Sequence, residues 1–305
     1  MRIIALTNQK GGVGKTTSTV NIAAALAAKG RKVILMDLDP QAHLTTFLGQ
    51  DPTQNQASAF EVLARSMPLA EALRPVRSHM LLLASGLDLA AAEVELVSVV
   101  GRETILRDAI TKSPVEYDYI FIDCPPSLGL LTLNALGAAK EVFIPLQPHF
   151  LSLQGLSQLL ETLLLVHTRV NPALKVTGLF YCMFDGRTSL SNEIVNDVQA
   201  FFSHSQIPNC PWKDIKIFET RIRRNIKLAE SPSHGQTIFE YENFCHGAED
   251  YRMLAEEVEA MAAVPPASDS PAPAPILAAP SPENPSPAAS QPPPPADPPV
   301  IYPAT

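Results

Sequence analysis

Short runs of apolar residues recur along the chain at 3–6, 33–36, 80–84, 119–122, 142–145, 175–184 and 215–218. Most show no alternation with polar positions, as expected of strands covered on both faces of a parallel sheet rather than half-exposed antiparallel ones. Between them lie segments with helical patterning, at 17–29, 87–100, 102–111, 151–169, 191–204 and 247–263. Gly30 stands where a left-handed helix stop is expected. Strands alternating with helices at this spacing predict right-handed βαβ units and an α/β fold with a mostly parallel, doubly covered sheet. The stretch from 41 to about 75 mixes polar loop with short helical patterns and is the least readable. In such a sheet, ligands bind beyond the carboxyl ends of the strands.

The first strand runs almost at once into Lys10, Gly11, Gly12, Val13, Gly14, Lys15, Thr16 and Thr17, and then into an alanine-rich helix. Glycines let successive backbone N–H groups turn onto an anion, because a Cβ would block the approach. The following helix adds free N-terminal donors and the positive end of its dipole. A lysine at position 15 can reach the β- and γ-phosphates of a nucleotide, and the Thr16 hydroxyl can hold Mg²⁺. The usual pattern has a glycine, four further residues, then Gly-Lys-Ser/Thr; here the first glycine position holds Gln9, and a second lysine, Lys10, opens the loop.

Two acidic motifs end apolar runs. Asp123 closes the run 119–122, where a carboxylate can hold Mg²⁺ through a coordinated water. Asp37 and Asp39 follow the run 33–36 in Asp37-Leu38-Asp39-Pro40-Gln41. Two residues apart on extended chain, they are expected to point the same way, both toward a γ-phosphate. Hydrolysis of a phosphoanhydride asks for an oriented water and neutralised charge more than for covalent help.

Composition adds limits. The chain has 305 residues and 29 prolines, 16 of which fall in 265–305, where Lys and Arg are absent. Such a segment buries too little apolar surface to offset its ordering entropy, so 265–305 is expected to be a disordered tail after a 1–264 domain. The body carries 23 basic against 28 acidic residues, so any nucleic-acid surface must be a local patch. Cys124, Cys182, Cys210 and Cys245 form no Cys-x-x-Cys pair, which argues against a zinc site or disulfide framework and fits a reducing cytosol. The immediate entry into strand 1 leaves no room for a signal peptide, and no run of 18 or more apolar residues suggests a membrane span.

With these motifs in view, residues 1 to about 262 resemble the ParA/MinD group of ATPases, whose phosphate loop is a deviant Walker A box, and most closely the chromosomal ParA/Soj branch. The marks are Gln9 to Thr17, Asp37 to Gln41, Asp123-Cys124-Pro125-Pro126-Ser127, Pro145-Leu146-Gln147 and Ala229-Glu230-Ser231-Pro232-Ser233. The resemblance implies a P-loop NTPase fold, ATP and Mg²⁺ as cofactors, and a homodimer formed with ATP, in which Lys10 reaches the partner's nucleotide. It makes Asp39 the residue that positions attacking water, Asp37 a support of the magnesium shell and switch, and Asp123 the Walker B carboxylate. It places Asn225 near the adenine. It also implies non-specific double-stranded DNA and a ParB-like centromere-binding protein as partners, and a cytoplasmic, nucleoid-associated protein.

Two departures stand out. The family's Gly-Asn after Asp-Pro-Gln is here Ala42-His43, and its Ile-Pro-Arg-Asn is here Ile222-Arg223-Arg224-Asn225. The second puts a cation where a rigid proline is expected, within a basic stretch of Lys213, Lys216, Arg221, Arg223, Arg224 and Lys227. Charge runs are commonly solvated faces. By resemblance, Arg187 and Lys227 contribute to DNA binding, and Arg223 and Arg224 add to the same patch; such contacts go to phosphates and weaken with salt. Other readings stay open: a positioner of some other cargo, a membrane-cycling MinD-like ATPase, or an iron–sulfur relative. The last lacks a second cysteine to match Cys124. The membrane reading needs a basic amphipathic C-terminal helix, whereas this body ends in Glu256-Glu257-Val258-Glu259.

Overall fold

A computed structural model describes residues 1–54, 56–149, 152–204 and 209–263; the expected tail, 265–305, lies outside the described residues. Eight strands form one sheet: β1 (Arg2–Leu6), β2 (Val33–Asp37), β3 (Leu73–Arg77), β4 (Met80–Leu83), β5 (Tyr119–Asp123), β6 (Glu141–Leu146), β7 (Lys175–Tyr181) and β8 (Lys216–Ile217). The helices are α1 (Lys15–Ala28), α2 (His43–Phe47), α3 (Ala59–Ala64), α4 (Leu69–Ala72), α5 (Leu89–Glu95), α6 (Ile105–Lys112), α7 (Leu130–Ala138), α8 (Ser152–Arg169), α9 (Ser189–His204), α10 (Ile226–Glu230), α11 (Ile238–Tyr241) and α12 (His246–Ala263). Strand order is β3-β4-β2-β5-β1-β6-β7-β8, parallel throughout except for β3 against β4. Among the described residues, no helix is long and apolar enough to cross a membrane.

The unbroken apolar runs serve two cores. On β5, Ile120 and Ile122 pack on one side of the sheet with α3, α5, α6, α7 and α8, while Tyr119 and Phe121 pack on the other with α1 and α12. Strand β1 divides likewise, Ile3 and Ala5 against Ile4 and Leu6. Since successive side chains face opposite ways, a strand with both faces covered has to be apolar at every position.

Pattern and structure part in three notable places. The edge strand β3 carries Arg74, Pro75 and Arg77 and is half-buried, so it has no apolar run to announce it; an edge also tolerates the proline. Helix α7 is apolar nearly all round, Leu130-Leu131-Thr132-Leu133-Asn134-Ala135-Leu136, which leaves no amphipathic stripe to read. The expected strand 175–184 ends at Tyr181, after which the chain turns through Met183 at a φ of 50°.

Close packing decides one residue in the sheet. A Cβ on Gly178 of β7 would lie 2.6 Å from ring atoms of both Phe143 and Phe218, which meet edge-on with centroids 5.4 Å apart. Gly178→Ala is therefore expected to destabilise the fold by about 1–3 kcal/mol through overpacking. Urea unfolding of the two proteins checks this; equal midpoints would contradict it.

Candidate functional site

Strand β1 delivers the chain to the loop at the sheet's carboxyl edge. Buried Asn8 donates from Nδ2 to the Pro145 carbonyl (2.8 Å) and accepts the Lys10 N–H (3.0 Å), pinning the start of the loop to the end of β6. Gly12 and Gly14 take φ of 72° and 93°, the left-handed region that favours glycine. Helix α1 then starts at Gly14 without a side-chain cap and without an acidic residue in its first turn. Its first N–H groups and dipole end are thus left for an external anion.

The two lysines are placed differently. Lys15 is buried, 7% exposed, and its ammonium makes a long contact of 3.4 Å to the Lys10 carbonyl. Burial pulls its pKa down against the opposing charges of Asp123 and Asp39. Lys10 is exposed, and its Nζ donates to Gln147 Oε1 on the loop after β6 at 3.3 Å.

Parallel pairing of β2 and β5 sets Asp37 beside Asp123. Asp123 accepts the Thr16 hydroxyl proton at 2.6 Å and that of Thr19 at 3.4 Å. Burial, and then the charge of Asp37, raise the Asp123 pKa. Asp37 is fully buried, and one of its oxygens accepts both the Thr45 hydroxyl (2.7 Å) and the Thr45 N–H (2.8 Å). Its other oxygen accepts the Asp39 N–H at 3.1 Å, and burial pushes its pKa up to about 6. The expectation that both aspartates face a phosphate thus needs correction. Asp39 lines the cleft, whereas Asp37 is spent on holding the turn from Asp39 to Thr45. The difference lies in the partners: three hydrogen bonds from Thr45 and the Asp39 N–H occupy both Asp37 oxygens, while Asp39 borders the cleft.

That turn carries strain. Ala42 is fully buried at a φ of 52°, where a side-chain-bearing residue costs about 1 kcal/mol relative to glycine. The departure from the family's glycine is accommodated by the bonds around it. Ala42 N–H donates to the Asp39 carbonyl (2.8 Å), Ser85 Oγ to the same carbonyl (2.7 Å), and Ser85 N–H to Thr45 Oγ1 (2.9 Å).

Two adjoining hollows meet at the loop. A cleft of about 590 Å³ is lined by Gly11, Gly12, Gly14, Lys15, Thr16, Thr17, Asp39, Gln41 and Met183. A more apolar pocket of about 320 Å³ shares Gly14, Thr17 and Met183 and adds Ile222, Arg223, Arg224, Asn225 and Tyr251. Val13 is buried behind the loop, and Asn225 caps α10 by accepting the Lys227 N–H at 2.8 Å. The larger hollow brings the glycine loop, Lys15 and Asp39 together, and the smaller one adjoins it. Among the described residues, no three His, Cys, Asp or Glu side chains gather into a metal cage. A cation here suits the Mg²⁺ style of ligation instead, with one hydroxyl, one carboxylate reached through water, and phosphate oxygens.

The basic residues are less free than their spacing suggests. Arg223, its side chain 43% exposed, is held by Asp250 and Glu249 at 2.6 and 2.7 Å. Lys227 pairs with Glu230 at 2.9 Å, and Arg187, with a side chain 90% exposed, folds back on Asp185 at 2.9 Å. Arg224 is exposed on the rim. Asn8 and Met183 in loops, and Thr45 in the short helix α2, carry no periodic signal in the sequence.

Comparison with known proteins agrees with this geometry. A family described as an AAA domain matches residues 1–176. The chromosome partitioning protein ParA of Myxococcus xanthus is 43% identical over 84% of this chain and 87% of its own length. The chromosome-partitioning ATPase Soj of Treponema pallidum is 42% identical over 85% of this chain and 97% of its own. Among solved structures, cobyrinic acid a,c-diamide synthase from Mycobacterium smegmatis with bound ADP and magnesium aligns with a TM-score of 0.71, 37% identity, and coverage of 85% and 94%. A glycine loop with an additional lysine, an Asp-Pro-Gln turn and a buried aspartate bonded to the loop threonine thus stand in a chain that belongs to the ParA/Soj family of chromosome-partitioning ATPases.

Proposed function

We propose that the 1–264 domain binds ATP with Mg²⁺ in the two hollows, dimerises through the bound nucleotide, holds DNA non-specifically in that state and releases it on hydrolysis. The Thr16–Asp123 hydrogen bond at an uncapped helix start carries the reading, because it joins a hydroxyl and a carboxylate at the place where a phosphate would sit. Residues 11–17 would wrap the phosphates, with Lys15 neutralising their charge, while Asn225 and its neighbours border the base. Thr16, and Asp123 through a water, would hold the Mg²⁺, which when bound supplies charge neutralisation for phosphoryl transfer.

Asp39 is the carboxylate of the turn that lines the cleft, and it fits the task of orienting the attacking water. Asp37 keeps Asp39 in place. Lys10 supports the dimer reading because it sits on the rim, outside its own cleft, where its ammonium is available to a second subunit. A ParB-like partner would stimulate hydrolysis, in a cytoplasmic, nucleoid-associated cycle. Arg187 and Arg224 are the exposed cations best placed for phosphates, with Lys227 beside them. Residues 265–305 would form a separate tail.

Two predictions follow from the lysines and the exposed arginines. With Mg²⁺ and ATP at about 100 times Kd, the wild type should gain about 2.7 kcal/mol of stability. In calorimetric melts Lys15→Ala should lose that gain and Lys10→Ala should keep it, while Lys10→Ala fails to stay on DNA with ATP. A Lys10→Ala protein that retains DNA normally would contradict the trans role. On immobilised DNA, retention should need ATP rather than ADP and fall steeply with salt. Arg187→Glu with Arg224→Glu should weaken it by about tenfold or more, the scale expected for losing several phosphate contacts. Binding that is independent of ATP would contradict the proposal.

A further inference from the structure

The border of the apolar pocket is anchored in a way that the phosphate loop does not explain. Residues 222–224 lie alongside the end of β7. Ile222 N–H donates to the Tyr181 carbonyl (2.8 Å), Phe184 N–H to the Ile222 carbonyl (3.0 Å) and Arg224 N–H to the Phe184 carbonyl (3.3 Å). The N–H of Arg223 points instead to α12, where Asp250 accepts it at 2.8 Å. The same carboxylate accepts Arg223 Nε at 3.0 Å and Nη2 at 2.6 Å, and Glu249 accepts Nη2 at 2.7 Å. Asp250 is nearly buried, its side chain 5% exposed, whereas Arg223 and Glu249 keep 43% and 57% of theirs exposed, so the clamp has a buried anchor and a solvated outer end. The next residue, Tyr251, hydrogen-bonds Ser18 of α1 at 2.9 Å.

A proline at position 223 would fix φ and need no partner for its nitrogen. Arginine leaves φ free and presents an N–H that must be satisfied. Asp250 meets both needs at once, since backbone and side chain of one residue converge on one carboxylate, and charge-assisted, forked bonds of this kind fix geometry as well as contribute energy. Consecutive residues of α12 then tie down the two walls of the pocket, Asp250 the 222–225 segment and Tyr251 the helix that starts at the phosphate loop.

We propose that Arg223, clamped on Asp250 and Glu249, is a positioning residue that holds the 222–225 segment in the conformation that receives the nucleoside end of the nucleotide. This rests on the nucleotide reading of the site. The clamp touches the base-side wall and not the phosphate seat, so its loss should reduce affinity for a nucleoside triphosphate by the fraction of time the wall is out of place. Affinity for a bare polyphosphate should stay the same.

The test is titration calorimetry of the full chain with Mg²⁺, using ATP and inorganic tripolyphosphate as separate ligands, together with steady-state hydrolysis. Arg223→Ala should weaken ATP binding and raise KM by about tenfold, the scale of one charge-assisted contact, while tripolyphosphate affinity holds. Its kcat at saturating ATP should stay within about twofold, as for loss of a purely ground-state positioning contact. Asp250→Asn should act in the same direction. The double variant Arg223→Pro with Asp250→Ala, which trades the charged clamp for a ring and leaves no buried carboxylate without a partner, should recover most of the ATP affinity. Unchanged ATP affinity in Arg223→Ala, equal losses for ATP and tripolyphosphate, or a double variant no better than Arg223→Ala would each overturn the clamp. A wild type that binds neither ligand would overturn the nucleotide reading and the clamp with it.

Discussion

The hydrogen bond between Thr16 and Asp123, 2.6 Å long, links the start of α1 to the end of β5, and the site is assembled around it. It depends on three strands ending together. Leu6 of β1 and Asp37 of β2 both pair with Asp123 of β5, so the glycine loop, the carboxylate and the Asp-Pro-Gln turn emerge at one edge. Three carboxylates, Asp37, Asp39 and Asp123, share this edge with one buried cation, Lys15. Burial raises Asp37 and Asp123 and lowers Lys15, so these three charged groups are poorly solvated. A cation and a polyphosphate would exchange that unfavourable balance for a compensated one, which makes occupancy a structural event as well as a chemical one.

In the proposed cycle, nucleotide state would reach the rest of the chain through the turn from Asp39 to Thr45. Asp39 lines the cleft, and its N–H is tied to Asp37, which also holds Thr45. Ala42 sits inside this turn in a left-handed conformation, so the segment stores strain where a response to the γ-phosphate would begin. On the opposite wall, α12 holds the 222–225 segment and α1 through neighbouring residues. The site thus has one wall built around a strained turn and one wall clamped by charge.

Most of the fold was legible because doubly covered strands are apolar at every position, and the glycine loop and terminal aspartates mark their own places. β3 was hidden by Arg74, Pro75 and Arg77, which an edge tolerates, and α7 by the lack of a polar face. At the site, residue type gave the chemistry and not the orientation. Asp37 and Asp39 look equivalent in sequence, yet Thr45 and the Asp39 N–H occupy the Asp37 oxygens while Asp39 borders the cleft. The basic run from Lys213 to Lys227 likewise read as a patch, since the partners of Arg223 lie 26 and 27 positions away on α12.

The central claim is that a bound triphosphate joins two copies of this chain. Sedimentation velocity of the full chain with Mg²⁺ and a non-hydrolysable ATP analogue, against Mg²⁺ and ADP, tests it most directly. The account predicts a dimer with the analogue and a monomer with ADP; the same species in both would contradict it.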